Sequence, residues 1–282
     1  MIVSGSTSQT FAAALAGATG RDLATVAFER FPDGELQASV PGFDADEAVV
    51  VASTVSSDAH LECLQLQDAV REAGASDVTT VLPYMGYARQ DEAFGDGEPV
   101  SARAVARAIS TGTDRVLTVN PHEEAVCDFF SVPAESVDAA PRLADPLPDL
   151  SDPLFLAPDE GATDLAATVR DASGGGATDH FVKARDYDTG AVSVEPSDAA
   201  VEGRDVVLVD DIVATGSTMS ESIAHLHDRG VGSVFVTCVH PLLAGDARTK
   251  LARAGVAAVH GTDTIERPAS TVSAAPAVAD RL

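Results

Sequence analysis

Residues 206–219 read VVLVDDIVATGSTM. The aliphatic run predicts a buried β-strand, and Asp210 and Asp211 follow it at the carboxyl end, where open α/β sheets bind their ligands. Adjacent carboxylates repel each other, so this position requires a ligand with hydroxyl groups or a cation. The segment ATGST comes next, and its successive backbone N–H groups can surround an anion at the start of the following helix. The stretch therefore predicts a site for a sugar phosphate such as ribose 5-phosphate. A strand–turn–helix junction without a ligand would leave the paired acids unexplained.

Strand-like and helix-like segments alternate along the rest of the chain. Apolar runs bounded by turn residues, among them EAVVVAST, VTTVLPYM, RVLTVN and SVFVTCVH, are separated by helical patterns such as AHLECLQLQDAVREAGA and SESIAHLHDRG. This alternation is typical of an α/β protein whose parallel sheets are joined by crossover helices. We expect hydroxyl groups to cap several helices and glycines to end others. The expected caps are Ser101, Thr163 and Ser217 or Thr218, and the expected terminating glycines are Gly74, Gly112 and Gly230.

A proline- and aspartate-rich segment, DAAPRLADPLPDLSDP at residues 138–153, suggests the division into domains. Segments of this composition commonly connect folded units. We therefore expect an N-terminal domain at residues 1–140 and a C-terminal domain at residues 141–282, each with about five strands. The last segment could pack back on the N-terminal domain. The glycine-rich run at residues 173–179 follows a predicted helix, so we interpret it as a surface loop rather than a phosphate-binding loop.

The chain of 282 residues carries 44 acidic and 18 basic residues, which gives a net charge of −26 at pH 7. Because the acids are spread along the whole chain, we interpret them as a surface adapted to high salt, where screening weakens their repulsion. An acidic patch for a basic partner is the alternative. This charge argues against binding to nucleic acids or anionic membranes. Lys183 and Lys250 are the two lysines of the sequence, and such rarity suggests that Lys183 has a role that arginine cannot fill.

The three cysteines and the hydropathy of the chain indicate its compartment. Cys63, Cys127 and Cys238 stand apart, without the spacing of a zinc site, so we expect small buried side chains in a reducing environment. The N-terminal segment lacks a basic start, and no apolar run of about 18 residues follows, so we expect neither a signal peptide nor a membrane span. These features predict a cytoplasmic protein.

Several motifs together resemble one enzyme family. The stretch at 206–219 resembles the ribose-phosphate fingerprint of the type I phosphoribosyltransferase fold. Five further segments resemble motifs of ribose-phosphate pyrophosphokinases, in the order found there: FPDGE at 31–35, YMGYARQDEAFGDGEPVSARAVA at 84–106, VNPHEEAVCDFF at 119–130, APDEGA at 157–162 and FVKAR at 181–185. The resemblance covers nearly the whole chain and points to an archaeal, halophilic member. It implies two tandem type I phosphoribosyltransferase-like domains, each a mainly parallel sheet flanked by helices.

The resemblance implies that the diphosphoryl group of ATP is transferred to O1 of ribose 5-phosphate, which yields 5-phosphoribosyl 1-diphosphate and AMP. Such a transfer depends chiefly on positioned cations. Arg89 and Gln90 would bind ATP, together with a set of residues from the FPDGE motif, namely Phe31, Asp33, Gly34 and Glu35. In the family this motif reaches into a neighbouring subunit's site. The resemblance therefore also implies a homo-oligomer built on dimers, with a tetramer or a hexamer left open.

The remaining site residues also follow from matched motifs. His122 and Asp159 match positions that hold magnesium, although imidazole is a poor ligand for this ion and His122 could instead cap a helix. Lys183 and Arg185 match the catalytic cations, with a surface pair balancing nearby acids as the alternative, and Arg185 would also contact ribose 5-phosphate. Ribose 5-phosphate would be bound by the residues of the first stretch: Asp210, Asp211, Ala214, Thr215, Gly216, Ser217 and Thr218. For Asp211 the alternative is to orient metal-bound water.

Two departures and two alternatives accompany the resemblance. Many family members carry an acid where this chain has Ala214, so a proton-accepting role there is in doubt. EAFGDGE at 92–98 stands where relatives often carry basic residues, which weakens any expectation of allosteric control by nucleotides or phosphate. A phosphoribosyltransferase would share the ribose-phosphate motif, but it has no reason to contain FPDGE and YARQD. A non-catalytic, synthase-like regulatory subunit would typically lack part of the cationic and metal-binding set that is present here.

Overall fold

The structure is a computed structural model that describes residues 1–185, 192–195 and 199–282, with 182–185 and 192–195 described by their backbone alone. The strands within these ranges are β1 Ile2–Ser4, β2 Ala27–Arg30, β3 Leu36–Ser39, β4 Glu47–Val51, β5 Asp77–Leu82, β6 Arg115–Val119, β7 Ala134–Val137, β8 Leu154–Ala157, β9 Ala177–His180, β10 Val182–Arg185, β11 Val192–Glu195, β12 Val206–Ile212, β13 Val234–His240, β14 Ala258–Thr262 and β15 Ser270–Val272. The α-helices are α1 Gln9–Thr19, α2 Ser57–Glu72, α3 Ser101–Ile109, α4 Thr163–Ala172, α5 Ser217–Asp228, α6 Ala247–Ala254 and α7 Ala275–Ala279. Short 3-10 helices span Glu124–Phe129, Ala140–Ala144 and Glu160–Ala162.

The chain forms two compact units. Unit 1 comprises Met1–Asp138, Asp263–Glu266 and Ser273–Leu282, and unit 2 comprises Ala139–Thr262 and Arg267–Val272. Each unit is built on a parallel sheet, in the order β1-β4-β5-β6-β7 in unit 1 and β15-β14-β13-β12-β8-β9 in unit 2. The predicted α/β class with mainly parallel sheets is confirmed.

Apolar periodicity explains how helix α2 packs in unit 1. Its buried residues recur at helical spacing, so they form one face that covers strands β4 and β5. These residues are Ala59, Cys63, Leu66, Gln67 and Val70. The helix begins after Ser56, whose side chain accepts a hydrogen bond from the N–H of Ala59 at 3.2 Å. Burial on this face raises the pKa of the Cys63 thiol to about 12, which makes it the inert, buried cysteine that was expected.

Strand β12 is the centre of unit 2. Its residues 206–209 are fully buried, as expected for a strand that has a parallel neighbour on each side and whose two faces are both covered. The surrounding core is almost wholly aliphatic and includes Leu154, Leu156, Ile223 and Val236. Full burial of each such side chain stabilises the fold by about 1.5–3 kcal/mol. This packing places the end of β12, with its two acids, at a defined edge of the sheet.

Two antiparallel strand pairs accompany the parallel sheets, in keeping with the prediction of mainly, not wholly, parallel sheets. Strands β2 and β3 form a hairpin in unit 1, and β10 pairs with β11 in unit 2. Gln65 of α2 holds β3 in place: its side-chain oxygen accepts from the N–H of Ala38 at 2.7 Å, and its amide donates to the carbonyl of Leu36 at 3.0 Å. The FPDGE motif at 31–35 is therefore the tip of a hairpin fixed to a helix.

The C-terminal residues 263–266 and 273–282 belong to unit 1. Helix α7 packs against α1, and the buried carboxylate of Asp263 accepts hydrogen bonds from the N–H of Ala274 at 2.8 Å and from the Ser273 hydroxyl. Glu266 accepts from the N–H of Thr10 in the first turn of α1. Anions are favoured at helix N-termini, so this contact holds residues 263–266 on unit 1.

Predictions of the helix boundaries were wrong in detail. Ser101, Thr163 and Ser217 are the first residues of α3, α4 and α5, and none of these helices has a side-chain cap, because Val100, Ala162 and Gly216 occupy the capping positions. Gly74 and Gly230 adopt positive φ just beyond α2 and α5, as expected for terminating glycines. The glycine-rich run is a loop only as far as Gly176, since residues 177–180 form β9.

None of the helices in the described part of the chain combines the length and hydrophobicity that crossing a bilayer requires.

Candidate functional site

The carboxyl ends of neighbouring parallel strands bring three acids of unit 2 together. Strand β8 ends two residues before Asp159, and its parallel neighbour β12 carries Asp210 and Asp211 directly before its last residue, Ile212. Because parallel strands end at the same edge of a sheet, carboxylates separated by about 50 residues of sequence become neighbours. All three side chains are half-buried. The structure therefore brings together the predicted metal ligand of this unit and the predicted ribose-binding acids.

The electrostatics of Asp210 reflect this crowding. Burial, followed by the charges of Asp211 and Asp159, raises the pKa of the Asp210 carboxyl well above its usual range. A backbone hydrogen bond partly offsets this rise in pKa, since the N–H of Asp211 donates to Asp210 Oδ1 at 3.0 Å. The N–H of Ile212 donates in the same way to Asp211 Oδ1 at 2.7 Å. A cation or a hydroxyl donor bound here would relieve the repulsion that raises this pKa.

Backbone hydrogen bonds join the loop after β12 to the end of β13 and to the segment that follows β13. The N–H of Val213 donates to the carbonyl of His240 at 3.2 Å, and the carbonyl of Ala214 accepts from the N–H of Ala244 at 2.9 Å. Gly216 has a φ of +70°, and a Cβ atom there would lie 3.3 Å from the carbonyl oxygen of Ala247. Glycine is therefore required both by the left-handed backbone and by the close approach of the next helix.

The N-terminal end of α5 presents unpaired donors. Within the described ranges, no acceptor is found for the backbone N–H groups of residues 214–218. Thr215, Ser217 and Thr218 are exposed, and the hydroxyl of Thr215 lies 3.4 Å from that of Ser217. Backbone N–H groups at the positive end of a helix, flanked by hydroxyls, form a seat for a phosphate. The anion site predicted from ATGST falls on these groups and stays a prediction.

Strand β10 starts at the same edge of unit 2. It begins two residues after β9, the strand that pairs with β8, and the N–H of Phe181 donates to the carbonyl of Ala157 at the end of β8 at 3.0 Å. Lys183 and Arg185 lie on β10, and Lys183 stands opposite Val194 of β11. Their side chains lie outside the described residues, so their predicted catalytic role stays a prediction.

In unit 1 the predicted ATP-binding residues of the YARQD motif follow β5. Arg89 is exposed, and its guanidinium has no hydrogen-bond or ion-pair partner in the described part of the chain. Gln90 is anchored at the start of α3, where its side-chain oxygen accepts from the Ser101 hydroxyl and its carbonyl accepts from the N–H of Ala102 at 3.1 Å. The loop therefore fixes Gln90 and leaves the Arg89 cation available to an anionic ligand.

His122 follows β6, the next strand of the same sheet. Asn120 turns the chain there with a φ of +32°, and its side chain donates to Asp138 Oδ1 at 2.8 Å. Asparagine tolerates this backbone conformation better than most residues. His122 is exposed, and it lies just before the 3-10 helix Glu124–Phe129. Within the described ranges, no three His, Cys, Asp or Glu side chains converge as ligands for a metal ion.

The FPDGE motif is presented by a turn that closes on itself. The N–H of Phe31 donates to the carbonyl of Glu35 at 2.8 Å, and Asp33 Oδ1 accepts from the N–H of Glu35 at 3.1 Å. Gly34 has a φ of +97°. The Phe31 side chain is 37% exposed, which leaves a ring face open. This hairpin is a separate two-stranded sheet, so the parallel sheet does not itself bring these residues to Arg89.

Sequence reasoning missed the residues that hold this turn in position. The guanidinium of Arg30 donates to the carbonyl of Gly34 at 2.7 Å and forms an ion pair with Asp58 in the first turn of α2. The only local sign of this contact in the sequence is the position of Arg30 directly before the motif. No local pattern identified its partner, which lies 28 positions away.

Comparisons with known proteins cover almost the whole chain. Residues 1–112 match the family model described as the N-terminal domain of ribose phosphate pyrophosphokinase, and residues 135–270 match a phosphoribosyl transferase domain. A ribose-phosphate pyrophosphokinase of Halobacterium salinarum is 66% identical over 284 residues, with all of both chains covered. One of Methanosarcina mazei is 43% identical over 285 residues, which cover 100% of this chain and 94% of the relative. The crystal structure of phosphoribosylpyrophosphate synthetase from Mycobacterium smegmatis superposes with a TM-score of 0.81 at 26% identity, over 100% of this chain and 96% of that one.

Proposed function

This chain belongs to the ribose-phosphate pyrophosphokinase family, and we propose that it transfers the β,γ-diphosphoryl group of ATP to O1 of ribose 5-phosphate. The observation that carries this proposal is the edge of unit 2, where Asp159, Asp210 and Asp211 adjoin the unpaired N–H groups of residues 214–218. The match of residues 1–112 to the N-terminal domain of such enzymes favours this reaction over a phosphoribosyltransferase. The full coverage of relatives named as this enzyme favours it over a regulatory subunit.

Ribose 5-phosphate would bind by both of its ends. Its phosphate would accept hydrogen bonds from the N–H groups and hydroxyls of Ala214, Thr215, Gly216, Ser217 and Thr218. Its ring hydroxyls would donate to the carboxylates of Asp210 and Asp211. Hydrogen bonds to charged groups stabilise binding by about 1.5–3 kcal/mol each, so these contacts would hold O1 at one position.

In the transfer, O1 attacks the β-phosphorus, and the bond from that phosphorus to the oxygen it shares with the α-phosphate breaks. AMP leaves with that oxygen, and the proton of O1 passes to solvent. We propose Lys183 and Arg185 as the cations that stabilise the charge of the group in transit, Lys183 as a compact point charge and Arg185 as a planar fork. The start of β10 at the edge that carries Asp159 and Asp210 supports this placement.

ATP would be bound by residues of unit 1. The exposed Arg89 guanidinium suits the ATP phosphates, and Gln90 supplies an amide beside it. The open ring face of Phe31 suits adenine, while Asp33 and Glu35 would accept hydrogen bonds from the nucleotide near Gly34. In the family this hairpin reaches a neighbouring subunit, so we propose a homo-oligomer built on dimers.

We propose magnesium as the metal, with Asp159 as a contact in unit 2; His122, which matches the other metal position of the family, is proposed separately in unit 1. Asp159 suits a hard cation, and the raised pKa of neighbouring Asp210 indicates that this edge favours positive charge. His122 suits it less well, because imidazole is a poor magnesium ligand. When bound with ATP, magnesium supplies charge that neutralises the phosphates. Magnesium is commonly held by one or two carboxylates together with substrate phosphates, which requires no cluster of three protein ligands.

Three wider features are proposed as well. The domain boundary is proposed near residue 140, with domains 1–140 and 141–282 and the last segment of the second domain packing back on the first. The dispersed negative charge is proposed to mark a protein adapted to a cytoplasm of high salt. The same charge argues against partners such as nucleic acids or membranes.

The activity is tested by incubating the purified protein with ATP, ribose 5-phosphate and magnesium in molar KCl. We expect AMP and 5-phosphoribosyl 1-diphosphate to form in equal amounts, and only when ribose 5-phosphate is present. If no AMP forms but pre-made 5-phosphoribosyl 1-diphosphate and a nucleobase release pyrophosphate, the protein is a transferase instead. If neither reaction occurs in salt that maintains the fold, the protein is a non-catalytic subunit.

Replacing Gly216 by alanine tests the phosphate seat. The new Cβ would lie 3.3 Å from the Ala247 carbonyl at a φ of +70°, so the N–H groups of the loop must shift. We expect the KM for ribose 5-phosphate to rise by about tenfold or more, with the KM for ATP changed by less than about twofold. Steady-state kinetics with each substrate varied in turn provide the measurement.

A matched control for Gly216→Ala is Gly203→Ala. Gly203 also has a positive φ, of 71°, but a Cβ atom there meets nothing within 4 Å. We expect this variant to lose some stability through backbone strain and to keep both KM values. Equal effects of the two variants on the KM for ribose 5-phosphate would remove the assignment of Gly216 to the phosphate seat.

The acidic surface predicts strong dependence of stability on salt. Lowering KCl from about 2 M to about 20 mM removes the screening between carboxylates, so we expect the melting temperature to fall by more than about 10 °C. Calorimetry or circular dichroism over a KCl series measures this. Sucrose at equal osmolality serves as the control, because it acts by exclusion from the surface rather than by screening. A melting temperature independent of KCl would contradict the high-salt interpretation.

A further inference from the structure

The loop that carries Arg89 rests on an aromatic side chain of helix α2. The rings of His60 and Tyr87 lie with their centroids 5.5 Å apart and their planes tilted by 40°. His60 is half-buried at the end of the first turn of α2, whereas Tyr87 is 49% exposed and covers it from outside. This separation and tilt are within the range of favourable aromatic contacts, which stabilise by about 0.5–1.5 kcal/mol beyond burial. The two residues therefore connect α2 directly to the YARQD motif.

The His60 ring has no polar role that the described residues can account for. Its Nε2 atom is buried and has no hydrogen-bond partner among them. Burial also lowers the pKa of the imidazole to about 4, so the ring is uncharged at neutral pH. A buried nitrogen without a partner is destabilising, by about 1–3 kcal/mol. What the side chain contributes is its shape.

The backbone beside His60 is packed too closely for any side chain at position 86. A Cβ atom on Gly86 would lie 2.1 Å from the carbonyl oxygen of Thr54 and 3.1 Å from Nε2 of His60. The N–H of Gly86 donates to the Thr54 hydroxyl at 2.8 Å, and the N–H of Thr54 donates to the carbonyl of Tyr84 at 2.9 Å. Residues 84–86 thus press directly on the segment that leads from β4 to α2.

Tyr87 adopts a backbone conformation that needs external support. Its φ of +66° lies in the left-handed region, which is unfavourable for a bulky residue by about 1–3 kcal/mol. The chain then turns, since the N–H of Gln90 donates to the carbonyl of Tyr87 at 3.0 Å. Ala88 is buried and Arg89 is exposed. The direction in which Arg89 leaves the loop therefore depends on how Tyr87 is held.

We propose that His60 is a positioning residue for ATP binding, acting as an uncharged ring that holds Tyr87 in its left-handed conformation and so directs Arg89 towards the nucleotide. This inference rests on the proposed function, in which Arg89 contacts ATP. It assigns no proton transfer and no ligand contact to His60. The imidazole matters as a flat ring of the right size, and its nitrogen atoms are dispensable.

The test compares His60→Ala with His60→Phe. Alanine removes the support, so we expect the KM for ATP to rise by about tenfold, while kcat and the KM for ribose 5-phosphate change by less than about twofold. Phenylalanine restores a ring and removes the unpaired nitrogen, so we expect a KM for ATP within about twofold of the original and a melting temperature equal or higher. Calorimetric titration with a non-hydrolysable ATP analogue measures the same loss without turnover.

Tyr87→Ala removes the exposed ring of the same contact and leaves no internal cavity. It therefore tests the proposal even if His60→Ala fails to fold. We expect it to raise the KM for ATP as His60→Ala does, and the double variant to be no worse than either single variant. The control is His260→Ala, another half-buried histidine, whose Nδ1 lies 3.1 Å from the Thr271 hydroxyl in unit 2. It should lower stability without changing the KM for ATP.

Each outcome decides between defined alternatives. A folded His60→Ala or Tyr87→Ala variant with an unchanged KM for ATP overturns the positioning role. A His60→Phe variant as impaired as His60→Ala shows that a ring nitrogen is needed, and this also overturns the proposal. Absence of AMP formation by the unmodified protein would instead overturn the proposed function, so the two failures are distinguishable.

Discussion

Replacing Lys183 by alanine lowers kcat by about 10³-fold and changes the KM for ATP by less than about threefold, if Lys183 acts on the group in transit. A loss of this size is expected because, in phosphoryl transfer, a single cation on the transferring group contributes about 10³–10⁵ in kcat. An interaction made in the transition state alone reduces kcat without weakening substrate binding. Steady-state kinetics in molar KCl, with AMP release as the readout, measure both constants.

The chain offers a matched control for this experiment, because Lys250 is the other lysine of the sequence. Lys250 lies on α6 and forms an ion pair with Asp246 at 3.0 Å. Such exposed pairs contribute little, so Lys250→Ala should keep both kcat and KM. Lys183→Arg keeps the charge but changes its shape and reach, and we expect intermediate activity. A loss confined to the KM for ATP would show that Lys183 binds the nucleotide in its ground state.

The second large effect is expected for Asp210→Asn. Removing the carboxylate weakens the hydrogen bonds from the ribose hydroxyls, and we expect kcat/KM for ribose 5-phosphate to fall by about 10²-fold, which corresponds to about 3 kcal/mol. The KM for ATP should change little. The control is Asp228→Asn at the exposed end of α5, which should leave both constants unchanged. A normal kcat/KM for ribose 5-phosphate in Asp210→Asn would refute the assignment of the paired acids.

The same substitution should stabilise the protein in the absence of substrate and metal. The pKa of Asp210 is raised by burial and by the charges of Asp211 and Asp159, so ionising this group on the folded protein is unfavourable. Because the folded state binds the proton more tightly than the unfolded state, stability falls as pH rises through the interval between the two pKa values. Asp210→Asn removes this penalty. In EDTA at pH 7–8 its melting temperature should exceed that of the unmodified protein by a few degrees.

If this result is obtained, function and stability oppose each other at Asp210, because the acid that would meet the ribose hydroxyls destabilises the folded chain when no ligand is bound. The comparison is made by scanning calorimetry at several pH values, with Asp228→Asn as the reference for the loss of one charge. A melting temperature unchanged or lowered at pH 7–8 would show that the repulsion among the three acids is relieved within the chain itself.

Local patterns were sufficient for part of the fold and of the candidate site. The α/β class, the strand that carries Asp210 near its end and the loop at residues 214–218 could all be predicted, because runs of aliphatic residues and small turn residues act within a few positions of each other. Family membership was also predicted from the motifs and is confirmed by the comparisons. The roles of Lys183, Arg185, His122 and the FPDGE residues stay predictions, since they concern ligand contacts.

Other features could not be predicted, because they depend on pairs far apart in sequence. Nothing local indicated that β2 and β3 form a hairpin fixed to α2 through Gln65, or that Arg30 pairs with Asp58. The expected cap at Ser101 failed for a related reason. The hydroxyl of Ser101 bonds to Gln90, a partner supplied by the preceding loop, instead of closing its own helix.

The sequence by itself determined what kind of chemistry each strand end carries: acids at the end of β12 and small residues after it, an arginine after β5 and a lysine on β10. The tertiary structure decided which of these ends meet. It paired β8 with β12, so that the charge of Asp159 adds to burial and to Asp211 in raising the pKa of Asp210, and it placed His60 beneath Tyr87. The physical reason is that strand order and register depend on how whole faces of sheets and helices are buried together. The free energy of that burial is summed over the entire chain, so no short window of residues determines it.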